Sequence, residues 1–134
     1  MEQVIFTSRG EAEAQPAKPN WAVISISDAG HGPANLQPGW FDVLRLDFYD
    51  REMPTIGLNL FTLEQARTIV EFVKAVAPQV DGILVHCFAG ISRSAAVAKY
   101  IACTHGLPFP ADYAYQNRLV FRLLNEAHSL SLHD

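Results

Sequence analysis

Four stretches of this chain have the apolar pattern of β-strands. Gln3 to Ser8 and Trp21 to Ile26 are short runs rich in β-branched and aromatic residues. A polar stretch from Arg9 to Asn20, with Pro16 and Pro19, follows the first. The second ends in the turn-rich segment Ser27-Asp28-Ala29-Gly30-His31-Gly32-Pro33, which continues to Pro38-Gly39. Phe41 to Phe48 alternates apolar and polar residues, the period of a strand with one buried face. Ile83 to His86, entered through Gly82, is the fourth strand.

Helical spacing appears later in the chain. Thr62-Leu63-Glu64-Gln65 has the form of a capping box, in which the Thr62 hydroxyl and the Gln65 side chain satisfy each other's backbone N–H groups. Leu63, Ala66, Val70, Val73 and Ala77 then recur three and four residues apart until Pro78 stops the pattern. A second helix, from about Ala95, is apolar on nearly every side through Cys103 and ends at Gly106 and Pro108, so it belongs in a central, buried position. Ala111 to His128 reads as the last helical segment, with Tyr113, Val120, Leu123, Leu124 and Ala127 as its apolar positions.

Strands alternating with helices predict an α/β fold with a mostly parallel central sheet of about four to five strands and helices on both faces. With 134 residues, 49% of them hydrophobic, the chain is long enough for one core and too short for two, so residues 1–134 are read as one domain. A formal charge of −4 supplies no general basic field for nucleic acid. Two cysteines, Cys87 and Cys103, make neither a disulfide framework nor a four-ligand metal cluster, and they fit a reducing, cytoplasmic compartment. The start Met1-Glu2-Gln3-Val4-Ile5-Phe6 lacks the features of a signal peptide, and no apolar run approaches membrane-spanning length, so no membrane association is expected.

The chemistry concentrates in His86-Cys87-Phe88-Ala89-Gly90-Ile91-Ser92-Arg93-Ser94, between the fourth strand and the buried helix. In a strand, tight loop and helix arrangement, loop N–H groups turn inward at the positive end of the helix and make an anion site that fits a phosphate. The same field lowers a thiol pKa to about 3.5–7.5, which makes Cys87 a thiolate nucleophile at neutral pH. Arg93, six positions on, carries a permanent charge on a planar fork suited to two phosphate oxygens.

This Cys-x5-Arg-Ser loop preceded by histidine resembles the phosphate-binding loop of the cysteine-based protein tyrosine phosphatases, and in its context the small dual-specificity-like and bacterial members. The resemblance runs from about Trp21 to Leu124 and is concentrated in these nine residues. It implies Cys87 as nucleophile and the loop from Phe88 through Ala89, Gly90, Ile91 and Ser92 to Arg93 as the phosphate cradle. Ser94 would hydrogen-bond the sulfur and ease its departure, and His86 would order the loop from below without transferring protons; a plain core histidine is the simpler reading of His86. Asn117, in Tyr115-Gln116-Asn117-Arg118, matches an asparagine that braces the loop in the family, although the proline that often precedes it is missing here. The implied substrate is a phosphorylated protein or peptide carrying phosphotyrosine, with phosphoserine or phosphothreonine open. No metal or other cofactor is implied, and nothing in the sequence decides the oligomeric state.

A leaving oxygen needs a proton, so a general acid must come from another segment. In the dual-specificity-like enzymes it is an aspartate just past the strand before the long capped helix, which points to Asp50. Asp47 is the rival, but it sits within the alternating strand pattern. Ser27, Asp28 and His31 follow a strand that could end near the pocket, and ordinary turn chemistry is the favoured reading of them. Two other classes remain: a phosphate-binding relative without turnover, and a thiolate-based arsenate reductase or rhodanese-like sulfurtransferase. Arsenate chemistry needs a second cysteine in reach, whereas Cys103, sixteen residues beyond Cys87 on the same buried helix, is read as core.

Overall fold

The computed structural model of the chain describes residues 1–132. In chain order they form β1 (Gln3–Thr7), α1 (Arg9–Ala14), β2 (Trp21–Ser27), β3 (Asp42–Asp47), α2 (Leu63–Val76), a single 3-10 turn (Ala77–Gln79), β4 (Gly82–His86), α3 (Arg93–His105) and α4 (Arg118–Ser131). The sheet has four strands, all parallel, in the order β1-β4-β2-β3. The two most apolar strands, β2 and β4, take its centre, where every residue of both is buried. The alternating Asp42–Asp47 run takes an edge, as a strand with one wet face should.

Alternation divides the core in two. Ala22, Ile24, Ile26, Ile83 and Val85 face α2, α3 and α4 in the larger cluster, while Trp21, Val23 and Leu84 face Ala12 of α1 with Leu36 and Trp40 of the β2–β3 connection. Trp21 pairs with Gly82 across the β2–β4 ladder, and its indole lies so close that a Cβ at Gly82 would come 2.5 Å from the ring. The ladders bring Thr7 and Ser25 level with His86, so the carboxyl ends of three strands converge there.

The Thr62–Gln65 capping box forms as its sequence predicts, and Gln65 Nε2 also donates to the Asp47 carbonyl, fixing the start of α2 to the end of β3. Gly106 closes α3 in the left-handed conformation, φ 65°. Among the described residues no helix is long and apolar enough to cross a membrane.

Three readings of the sequence need correction. The polar stretch after β1 contains a helix, α1, opened by a second capping box between Ser8 and Glu11. The last helix starts at Arg118, so Tyr113 lies in the preceding turns, where its ring packs against Phe6, Phe109 and Tyr115. Cys103 is exposed: it shares a stripe of α3 with the half-buried Lys99, one turn back, while the buried face runs through Val97, Tyr100 and Ile101. Cys87 itself precedes α3, in the loop after β4.

Candidate active site

His86 ends β4 at full burial, with Nε2 2.6 Å from Ser25 Oγ and Nδ1 3.2 Å from the Cys87 carbonyl. A carbonyl only accepts, so Nδ1 carries the proton and Nε2 receives the Ser25 hydroxyl. Burial pulls the imidazole pKa below its ordinary value and outweighs the bond to Cys87, while the Arg9 and Arg45 charges act with burial. The histidine is therefore a neutral strut between β2 and the first residue of the loop.

The chain then turns back over the strand ends. Gly90 has φ +74°, and a Cβ there would drive into the backbone at Thr7 and Ser8, so the loop rests on the β1–α1 junction in a way that only glycine allows. The Arg9 N–H donates to the Phe88 carbonyl across the same contact, at 3.1 Å. Phe88, Ala89 and Ile91 turn outward and are exposed. The Tyr113 hydroxyl donates to the Ile91 carbonyl at 2.5 Å; its pKa is raised by burial and by the neighbouring Cys87 and Tyr115 charges.

Cys87 sits inside this loop, 2% exposed, with Sγ 3.1 Å from Ser94 Oγ and 3.3 Å from the Gly90 N–H. Burial pushes the thiol up, but the Ser94 hydroxyl, the Ser94 and Gly90 N–H groups and the Arg93 charge together leave it below the ordinary thiol value. The Ser92 side chain makes no capping bond at the start of α3. Its hydroxyl instead donates to Asp50 Oδ1 at 2.8 Å, so it does not compete with an anion for the N–H groups at the start of the helix.

Arg93 opens α3 almost fully buried. Its Nη1 donates to Asp28 Oδ1 and to the Phe48 carbonyl, each at 2.7 Å, and its Nε is buried with no partner. A buried unpaired donor of this kind fits an oxyanion site. Asp50 Oδ1 also receives Nδ2 of Asn117, at 2.8 Å. Asn117 caps α4 by accepting the Val120 N–H, and its own N–H donates to the Ser92 carbonyl at 3.1 Å. One asparagine thus joins the loop, the segment after β3 and the last helix.

Two open clefts flank the loop. One, of about 440 Å³, is lined by Asp50, Arg51, Ser92, Tyr115 and Arg118; the other, of about 300 Å³, by Asp28, Tyr49, Asp50 and Arg93 among others. Asp50 borders both. Asp47 is exposed and lines a third cavity, with Asn59, Phe61 and Gln65. The residues singled out in the sequence therefore meet, from His86 through Ser94 with Asp50 and Asn117, and Asp47 stands apart. Among the described residues no three His, Cys, Asp or Glu side chains gather as a metal centre would need.

Sequence reasoning missed the partners of Arg93. Asp28 was singled out, but its ion pair spans 65 positions and leaves no local signature. The Phe48 carbonyl is a backbone group that no side-chain pattern could mark.

No family model matches the sequence, and no curated protein matches it. Solved structures do match. The human tyrosine phosphatase-like serine/threonine/tyrosine-interacting protein is 22% identical, with a TM-score of 0.62 over 96% of this chain and 93% of that one. Human DUSP28 is 20% identical, with a TM-score of 0.65 over 98% and 95%. PTPMT1, solved in complex with PI(5)P, is 20% identical, with a TM-score of 0.54 over 84% and 78%. At these identities the likeness is one of fold: the chain has the single-domain α/β fold of the small, dual-specificity type of cysteine-based tyrosine phosphatase.

Proposed function

We propose that the protein is a phosphomonoesterase that works through a cysteinyl-phosphate intermediate. One observation carries the reading: a buried thiol, lowered in pKa and bonded to a hydroxyl and a loop N–H, lies in the same loop as a buried arginine with an unpartnered donor. The fold shared with known phosphatases supports it.

In the first step Cys87 Sγ attacks phosphorus and the bond from phosphorus to the leaving oxygen breaks. The loop N–H groups and Arg93 hold the equatorial oxygens as charge redistributes over them. Asp50 gives its proton to the leaving oxygen. In the second step water attacks the phosphocysteine, Asp50 takes the proton back, and the departing thiolate is received by the Ser94 hydroxyl. His86 transfers no proton: both ring nitrogens are committed to the scaffold.

The substrate in this reading is a phosphorylated protein or peptide, with phosphotyrosine preferred over phosphoserine and phosphothreonine. None of Phe88, Ala89 or Ile91 is a lysine that would favour an inositol phospholipid. A relative that binds phosphate without turnover keeps the fold but usually loses the thiol, the arginine or the acid, and here all three residue types remain. The test is hydrolysis of p-nitrophenyl phosphate. Wild type should turn it over and Cys87→Ser should not, while still binding tungstate; equal turnover by the variant contradicts the mechanism.

A further inference from the structure

Three carbonyls of the loop are held by groups outside it. The Cys87 carbonyl receives His86 Nδ1 at 3.2 Å and the Phe88 carbonyl receives the Arg9 N–H at 3.1 Å, so their donors come from β4 and the start of α1. The Ile91 carbonyl receives the Tyr113 hydroxyl at 2.5 Å, across 22 positions of sequence. Tyr113 lies in the turns before α4, where its ring meets Phe6, Phe109 and Tyr115 edge to face with centroids 5.4, 5.8 and 5.6 Å away. Phe6 belongs to β1, so the ring is seated on the strand whose end also supports Gly90.

We propose that Tyr113 is a positioning residue for the phosphate cradle: by tethering the Ile91 carbonyl, its hydroxyl aims the Ser92 N–H at a bound oxyanion. The inference rests on the phosphatase reading. A trans peptide unit is planar, so its carbonyl and the N–H of the next residue point in opposite directions. Holding the Ile91 carbonyl from outside the loop therefore turns the Ser92 N–H away from Tyr113. This peptide has little else to fix it. The Ile91 side chain is 51% exposed, which leaves it little packing. Ser92 has φ −115°, well off the helical value of about −63°, so α3 does not by itself set the plane of the Ile91–Ser92 peptide. A donor held in place before the anion arrives stabilises it without reorganisation, and the aromatic contacts of Tyr113 hold the hydroxyl there.

Packing and positioning separate in two variants. Tyr113→Phe keeps the ring and loses the donor, whereas p-aminophenylalanine at position 113 keeps both. Each is compared with wild type, below its own Tm, for kcat and KM with p-nitrophenyl phosphate, for the tungstate dissociation constant, and for the amide proton shifts of Ser92 and Ala89 on tungstate binding. Ala89 is the internal control, because its N–H shares a peptide with the Phe88 carbonyl, which the Arg9 backbone holds in every variant. Tyr113→Phe should weaken tungstate binding and lower kcat/KM by about threefold to tenfold, the range of one hydrogen bond. The downfield shift of Ser92 should shrink in Tyr113→Phe while that of Ala89 persists, and the amino group should restore tungstate affinity to within about twofold of wild type. Wild-type affinity in Tyr113→Phe, equal loss of the Ser92 and Ala89 shifts, or no rescue by the amino group would overturn the assignment. A wild-type protein that binds tungstate without hydrolysing the ester would overturn the phosphatase reading while the binding and shift measurements still decide the role of Tyr113. One that does neither would overturn both.

Discussion

The Ser92 hydroxyl donates to Asp50 Oδ1 at 2.8 Å, joining the last loop residue before α3 to a carboxylate three positions past the end of β3. The bond brings Asp50 to the loop that holds the buried thiol, and Asn117 Nδ2 fixes the same oxygen from the far side. Asp47, at the end of β3, has no such link; the carbonyl it offers is taken by Gln65 of the capping box.

The first prediction separates these two acids. Asp50→Asn keeps an oxygen for Ser92 and Asn117 but no proton to give. It should slow hydrolysis of phosphotyrosine by about a hundredfold or more, leave a strongly activated aryl phosphate much less affected, and flatten the alkaline limb of the pH–rate profile. Asp47→Asn should do none of this. Leaving-group dependence in Asp47→Asn and not in Asp50→Asn would reassign the acid.

Arg93→Lys should lower kcat/KM by about a hundredfold or more, because a point charge cannot present the two parallel donors of the guanidinium. Steady-state kinetics on p-nitrophenyl phosphate checks this. Near-wild-type turnover would mean that the charge alone suffices.

Gly90→Ala should destabilise the fold by about 2–4 kcal/mol in urea unfolding, since φ is +74° and the new methyl group meets backbone rather than a movable side chain. A variant as stable as wild type would show that the loop can lift off the β1–α1 junction.

The folded-state pKa of His86 lies below its ordinary value of 6.5, chiefly through burial. An unfolded chain therefore binds this proton at higher pH than the folded one. The stability that the neutral ring contributes is complete above about pH 6.5 and is lost as pH falls toward the folded pKa. Thermal unfolding between pH 7.5 and 5 should show wild type losing stability more steeply than His86→Gln, and parallel profiles would show that folding leaves the pKa of the ring unshifted.

The sequence disclosed most where chemistry and structure share a short stretch. The loop from His86 to Ser94 packs the proposed nucleophile, cradle and arginine into nine contiguous residues, and the central strands are short, mostly apolar runs, so both could be read without tertiary knowledge. Asp50 was singled out by the family resemblance, and the alternation of β3 ranked it over Asp47. Contacts made through the backbone or across long separations were hidden: Gly90 against Thr7 and Ser8, Arg93 against the Phe48 carbonyl, and Asp28 in what looked like plain turn chemistry. Helix α1 did carry a signal, Ser8 and Glu11 at capping-box spacing, masked by the prolines that follow it. Cys103 was misread because a cysteine looks apolar; Lys99 four residues earlier marks the same face as wet.

The central claim is a covalent bond between Cys87 and the phosphoryl group, and rapid acid quench during turnover of a phosphotyrosine peptide, followed by peptide mass spectrometry, tests it directly. The account predicts one phosphoryl group per chain, carried by the peptide containing Cys87, absent in Cys87→Ser and lost as product phosphate appears. Turnover with no phosphate on Cys87, or with the phosphoryl group on another residue, would contradict it.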